Sequence, residues 1–340
     1  MNDTLFDEEE PVAQKPFVAD LVPNQKVSAA FVVKEKSLTA FRNKPGQYLG
    51  LVLSDKTGDI KARAWDNAAE LDSILRTGSV ALIDGHVEEY QGHKQLIVRG
   101  VKALTQDEFD PADFVPASRR PREEMLAQLR ADIDAVTDPC LSALLRAFFE
   151  DAEFLSTFSR APGAKSLHHS FVGGLLEHTL AVTELLKCAK SIHSELSLNL
   201  LISGGLLHDI GKIWELGGEF ATDYTDVGQL QGHVVLTDRA VTAVIREIPD
   251  FPPDLEVALT HMLLSHHGQR EFGAPIVPAT LEACALHYAD NLDAHVQGFK
   301  QVIAGTSTEG NWSEYHRLYE RRIFVGATPG GDKLDESPAQ

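Results

Sequence analysis

A chain of 340 residues, 43% hydrophobic and 24% charged, is long enough for about two domains and has the balance of a folded globular protein rather than a disordered or membrane-spanning one. Its 31 basic and 50 acidic residues leave a formal net charge of −19, which excludes a protein that coats duplexes through a uniformly basic surface but leaves room for a local nucleic-acid groove. Cys140, Cys188 and Cys284 lie far apart without a CxxC pair, so neither a disulfide framework nor a thiolate zinc knot is expected, and a reducing cytoplasm is the expected location.

Residues 1–17 carry an acidic run and no apolar stretch of the signal-peptide kind, and are expected to be a disordered tail. Residues 18–105 then show short β-type runs, VSAAFVVKEKSL, QYLGLVLSD, IKARAWD, SVALIDGHVEEYQG and HKQLIVRGVKAL, separated by KPGQ, DKTGD and RTGS turns. One helix, NAAELDSIL over 67–75, falls between the third and fourth strands, and a hairpin is expected through Tyr90-Gln91-Gly92-His93. Five strands with one interposed helix predict a small all-β OB-type barrel. This stretch carries twelve basic and ten acidic residues, so it is the part least repulsive to a polyanion. Phe41, Tyr48, Trp65 and Tyr90 alternate with Arg42, Lys44, Lys61, Arg63 and Lys94, the mixture that stacks bases while tracking phosphates. Burial in the core is the competing reading for each aromatic, and Trp65 in KARAWD could face either way. The basic residues could equally be a solvated face.

Residues 106–124, rich in proline and charge, predict a linker whose Arg119, Arg120 and Arg122 could extend a path for nucleic acid. From 125 to 325 the period becomes helical in MLAQLRADIDAV, CLSALLRAFFEDAEFLSTF, GGLLEHTLAVTELLKCAKSI, LNLLISGGLLHDIGKIWEL and the runs that follow, so the second domain is expected to be all-α. Residues 326–340 are expected to be a second loose tail. No uncharged apolar stretch approaches the roughly 18 residues that span a bilayer, so no membrane partner is expected.

Most of the fourteen histidines lie in the helical half, several inside apolar helices where a charged imidazole is costly. In order they include His178, His208-Asp209, His233 and His266-His267, followed by Asp290. Imidazoles and carboxylates without a thiolate suit Mn²⁺, Fe, Co²⁺, Zn²⁺ or Ni²⁺, and facing helices of a bundle can gather such ligands in its core. On a continuous helix His208 and Asp209 stand about 100° apart, so they can flank one ion or let the carboxylate bridge two. Lys212 shares their face and would offer a cation to an anionic substrate. Gly211 lets backbone or substrate approach closely. Taken singly, His168, His193 or His287 reads as a hydrogen-bonded or surface histidine; the ordered set is what points to metal.

That order, H…HD…D over His178, His208-Asp209 and Asp290, resembles the HD-superfamily metal-dependent phosphohydrolases, and the additional His233 and His266 or His267 match members that hold two ions. With the preceding OB-like module and the phrases SLHHSFVGGLLEHTL and GGLLHDIGK, residues 18–325 resemble the YhaM-type 3′–5′ exoribonucleases. The resemblance implies single-stranded RNA, and also single-stranded DNA, shortened from the 3′ end to nucleoside 5′-monophosphates, with Mn²⁺ the favoured activator. In such chemistry two metals about 3.5–4 Å apart activate a water and clamp a phosphate oxygen. His178 and His208 would hold the metals, Asp209 would bridge them, His233 and His266 would complete the second ion, and Asp290 would close the first. Lys212 would neutralise phosphoryl charge. Whichever of His266 and His267 is not a ligand, taken here as His267, could protonate the leaving oxygen or contact phosphate, and His168 and His169 could touch substrate. An enzyme of small phosphate esters, or a nucleic-acid-binding protein with a structural metal, are the alternatives. A homo-oligomer is compatible with a positive path shared between subunits.

Overall fold

The computed structural model describes residues 16–41, 45–90, 92–110, 113–114, 118–165, 169–218, 222–306 and 310–326. The chain forms two compact units, one reaching to residue 116 and the other beginning at 117.

The first unit contains β1 (Lys26–Ala40), β2 (Gln47–Asp55), β3 (Gly58–Ala64), α1 (Ala68–Ile74), β4 (Val80–Tyr90) and β5 (His93–Ala103). The strands close in the order β1-β2-β3-β5-β4, with β3 and β5 parallel and β1 returning to β4. One long strand serves two partners: Lys26–Val32 of β1 pairs with β4 and Val32–Ala40 with β2, with an irregularity between Val33 and Glu35 just past the change of partner. This is the OB-fold, with α1 between the third and fourth strands. Alternation decides the faces: Leu49, Leu51 and Leu53 of β2 and Ile60, Ala62 and Ala64 of β3 are buried together with Phe31, Ile83 and Leu96. Each large side chain so buried contributes about 1.5–3 kcal/mol. Phe17, read from the sequence as tail, is instead held, because the 3-10 turn it opens at Val18–Asp20 donates the Val18 N–H to Asp55 Oδ2 at 2.6 Å.

The second unit contains α2 (Arg122–Asp134), α3 (Pro139–Phe149), α4 (Ala152–Arg160), α5 (Gly174–Ile192), α6 (Leu198–Leu207), α7 (Lys212–Glu215), the short pair β6 (Leu216–Gly217) and β7 (Asp223–Tyr224), then α8 (Asp226–Ile245), α9 (Pro253–Ser265) and α10 (Leu281–Ala304). The run CLSALLRAFFEDAEFLSTF reads as one helix in sequence but is two, because Asp151 leaves the helix to accept the Phe154 N–H at 2.7 Å and cap α4. Asp138, Thr225 and Thr280 cap α3, α8 and α10 in the same way. Leu129, Leu144, Phe158, Leu176 and Leu206 form a core in which α2, α3 and α4 cover α5 and α6. A second core of Val182, Leu186, Leu201, Met262 and Leu286 seats α10 against α5, α6 and α9. The helix α2 begins inside the stretch expected to be linker. Arg122 donates to Ser159 Oγ at 2.9 Å and Arg120 to Gln128 Oε1 at 2.8 Å, so both are engaged within the helical unit. No described helix is long and apolar enough to cross a membrane.

Candidate metal centre

The residues singled out in the helical half come from five places in the chain. His178 lies in α5 and Asp290 in α10, while His266 caps the C-terminus of α9 and His267 follows it. His208 caps the end of α6, and Asp209 stands in the turn to α7 rather than on a continuous helix. That turn is tightened to i→i+3 bonds, Lys212 N to Asp209 O at 3.0 Å and Ile213 N to Ile210 O at 3.2 Å. Its cause is the close approach of α8: a Cβ on Gly211 would overlap the His233 carbonyl oxygen, and the Gly211 N–H donates to Thr237 Oγ1 at 2.9 Å. The backbone of α8 is itself broken at Gly232 (φ 72°, ψ 151°), a left-handed position suited to glycine. The kink frees the His233 N–H to donate to Glu215 Oε1 at 2.9 Å.

These side chains meet around Asp209. Its Oδ2 lies 3.3 Å from His208 Nε2, 3.5 Å from His178 Nε2 and 2.6 Å from Lys212 Nζ. Its Oδ1 faces the other way, 3.4 Å from His233 Nε2 and 3.6 Å from His266 Nε2. Asp290 Oδ1 is 3.2 Å from His178 Nε2. Ligand atoms therefore form one group of His178, His208 and Asp290 and another of His233, His266 and His267, with one Asp209 oxygen on each side. The two neighbours at 266 and 267 both bring a ring nitrogen to the second group.

What stands behind the rings fixes what they offer. His208 Nδ1 donates to Gly205 O at 2.8 Å, His266 Nδ1 to Leu263 O at 2.7 Å and His267 Nδ1 to Phe272 O at 2.7 Å. His178 Nδ1 donates to Asp293 Oδ2 at 2.7 Å, and His233 Nδ1 to Glu215 Oε1 at 2.9 Å. A carbonyl can only accept, so the proton of each neutral ring sits on Nδ1 and the Nε2 lone pair is directed inward. Opposed nitrogens then stand 3.3 Å apart for His178 and His208, and 3.2 Å apart for His233 and His267. Asp209 Oδ1 and His266 Nε2 are buried without any hydrogen-bond partner, a cost of about 1–3 kcal/mol for each group. Inward lone pairs and an orphaned carboxylate oxygen are the donor set of a divalent cation, and the residues fit one.

Electrostatics set the rings apart. Burial alone would strip the proton from His178, but the Asp290 and Asp293 carboxylates override it and raise its pKa to about 9. Burial opposes ionisation of Asp209, yet Lys212 and His208 hold it well below the usual carboxylate range. The same contest, won by His178, keeps Asp290 charged. Burial and the imidazoles of His266 and His233 press His267 down to about 3. A ring so reluctant to take a proton keeps its Nε2 lone pair available. Lys212, expected to present its charge to substrate, is instead paired with Asp209, which raises its pKa against the effect of burial.

On the barrel, Lys61, Arg63 and Trp65 share the outward parity of β3 and its continuation, which settles the direction of Trp65. Its ring lies 5.3 Å from Tyr48 and 6.2 Å from Phe41, stacked on the latter at 16° between planes, and the Arg63 guanidinium covers Trp65 at 5.4 Å. The three rings cap adjacent ends of β1, β2 and β3 on one outer face. Tyr90 is exposed at the end of β4, away from this cluster, and Lys94 is committed to Leu21 O at 2.6 Å. Arg42, Lys44 and His168 lie outside the described residues. His169 is buried at φ 58° and holds Asp293 Oδ2 at 2.8 Å rather than facing outward.

A family model described as an HD domain matches residues 175–295, and one described as an OB-fold nucleic acid binding domain matches residues 32–104. The 3′-5′ exoribonuclease YhaM of Geobacillus sp. (strain WCH70) is 33% identical over 297 residues, which cover 85% of this chain and 90% of that protein. The chain belongs to the YhaM family. Among solved structures, the second OB-fold domain of replication protein A from Methanococcus maripaludis is similar at 22% identity over 26% of this chain and 93% of that one, with a TM-score of 0.23. A crystal structure of a domain of the same protein is 26% identical over 26% and 92% of the two chains, also at 0.23. In this YhaM-family chain, sequence reasoning missed Glu215 and Asp293, the carboxylates that orient His233 and His178. Asp293 had a signal, since it stands three residues after Asp290 on the same face of α10; Glu215 had none beyond its place after the HD pair.

Proposed function

We propose that the chain is a metal-dependent 3′–5′ exoribonuclease that shortens single-stranded RNA to nucleoside 5′-monophosphates, using two divalent ions, Mn²⁺ favoured. The observation that carries the reading is Asp209, whose two oxygens face two separate groups of inward imidazoles. His178, His208 and Asp290 would hold one ion and His233, His266 and His267 the other, with Asp209 shared. Paired ions would supply an activated water at neutral pH and an electrophilic clamp on the phosphate. The protein's own part is to orient. Asp293 and Glu215 fix the ring tautomers, and the Gly211 contact holds Asp209 between the two groups. Lys212 keeps Asp209 ionised and, on a change of rotamer, offers its ammonium to the phosphoryl oxygens. The Phe41, Tyr48 and Trp65 rings with Arg63 suit stacking of successive bases, each contributing about 1–3 kcal/mol.

The test is incubation of the purified chain with 5′-labelled single-stranded RNA and, in parallel, DNA, with Mn²⁺ or with EDTA. A descending ladder that needs metal is expected, and Asp209→Ala should abolish it while RNA binding persists. Hydrolysis of mononucleotides with the oligomer untouched, or binding without cleavage, would refute the proposal.

A further inference from the structure

The helix α10 does two jobs on two faces. One face carries Asp290 and Asp293 to the metal centre and buries Ala283 and Leu286. On the other, Leu281, Ala285, Tyr288, Leu292, His295 and Phe299 follow at alternating steps of four and three, the spacing of a helix–helix seam, with the rings of His295 and Phe299 also touching Tyr319 of the same chain. Leu281, Tyr288, Leu292 and Val296 are 58%, 68%, 51% and 44% exposed. Two hollows lie along the stripe. One of about 420 Å³ is bordered by Leu185, Leu196 and Ala285 between α5 and α10, and one of about 340 Å³ lies beside Val296, Phe299 and Ile303. In a chain with fifty acidic residues, the exposed positions from Ala283 to Phe299 on this helix are Cys284, Tyr288, Asn291, Leu292, His295 and Val296, without a carboxylate among them. Depletion of charge over a contiguous apolar stripe marks an interface core.

We propose that a second copy of the chain docks its own α10 antiparallel onto this stripe, about a two-fold axis at Leu292. Charge chooses both the partner and its direction. Glu195 stands at the N-terminal end of the stripe and Lys300 at the other, so antiparallel copies set each acidic end against a basic one. A parallel pair would set like against like. Centred on Leu292, the register puts Ala285 opposite Phe299, Tyr288 opposite Val296 and Leu281 opposite Ile303, small facing large at the first hollow. Only a self-complementary surface can close in this way, as an isologous dimer requires. The inference does not depend on the nuclease reading, because it concerns the face of α10 turned away from the metal centre.

Sedimentation velocity of the full chain at micromolar concentration tests it. The wild type is expected as an even-numbered oligomer of the 37.2 kDa chain. Leu292→Glu, which sets two carboxylates against each other at the axis, should halve its mass with the helical circular dichroism unchanged. Lys300→Glu should weaken association about tenfold, and adding Glu195→Lys to it should restore the wild-type constant. Should Leu292→Glu misfold, that charge-reversal pair decides. In a Cys188→Ser, Cys284→Ser background, Leu292→Cys should form an intersubunit disulfide on oxidation. A monomeric wild type, or an oligomer that Lys300→Glu leaves unchanged, would overturn the proposal.

Discussion

Glu215→Gln separates the two halves of the metal centre. Glu215 Oε1 accepts both the backbone N–H and the Nδ1–H of His233 at 2.9 Å, while Oε2 lies 3.0 Å from the same Nδ1. In glutamine the oxygen can keep the first two bonds, but the amide NH₂ then stands donor to donor against Nδ1–H, and the negative charge behind the ring is gone. Charge-assisted bonds contribute about 1.5–3 kcal/mol against 0.5–1.5 for neutral ones. Losing an orienting partner of this kind typically weakens a metal site about 10–100-fold, equivalent to about 1.4–2.7 kcal/mol. If two ions are held as proposed, the loss should fall on the one at His233, His266 and His267 and spare the one at His178, whose partner Asp293 is untouched. Calorimetric titration of the metal-stripped chain with Mn²⁺ should show one constant weakened and the other retained. RNA hydrolysis should fall at limiting metal and recover as metal is raised. Equal weakening at both ions, or no weakening at all, would refute the view that Glu215 works through the tautomer of His233.

In the metal-free chain, the Asp290 and Asp293 carboxylates raise the His178 pKa to about 9. The proton therefore competes with metal at all lower pH, and affinity at that site should rise about tenfold per pH unit from neutrality to about 9 and then level; proton release measured in buffers of different ionisation enthalpy checks this. Asp293→Asn removes one of the carboxylates that raise that pKa and should lower it, as imidazole NMR titration of the metal-free chain would show. Trp65→Ala and Tyr48→Ala should each weaken single-stranded RNA binding by about 1–3 kcal/mol, whereas Lys94→Ala, whose ammonium is held by Leu21 O, should leave it within twofold by fluorescence anisotropy. Gly211→Ala would drive a methyl group into the His233 carbonyl and should lower both the melting temperature and the metal stoichiometry.

The clustered imidazoles were legible because each pairs an expensive side chain with an apolar setting: an imidazole in LLEHTL or LLSHHG has no cheap explanation within a helix core. The barrel was legible from alternation and turns. What sequence concealed was set by contacts between distant segments. The end of α6 at Leu207 depends on α8 pressing against Gly211, although the apolar period runs through Ile210 and Ile213 without a break. His266 and His267 share one group with His233, which spacing could not show, because neighbours on a helix diverge by about 100°. Trp65 could have been phased, since it shares parity with Lys61 and Arg63, but the small residues Ala62 and Ala64 opposite them hid which face was the interior.

The imidazoles at positions 178, 208, 233, 266 and 267 are each anchored by the nitrogen that does not face the ion. Their tethers run to the scaffold itself, so departure of the cargo leaves the cradle standing. Exchange of one ion for another in such a cradle would need bonds to the ion to break, with no need to refold. On that footing the supply of ions around the protein, rather than its folding history, would set which of them the cradle takes.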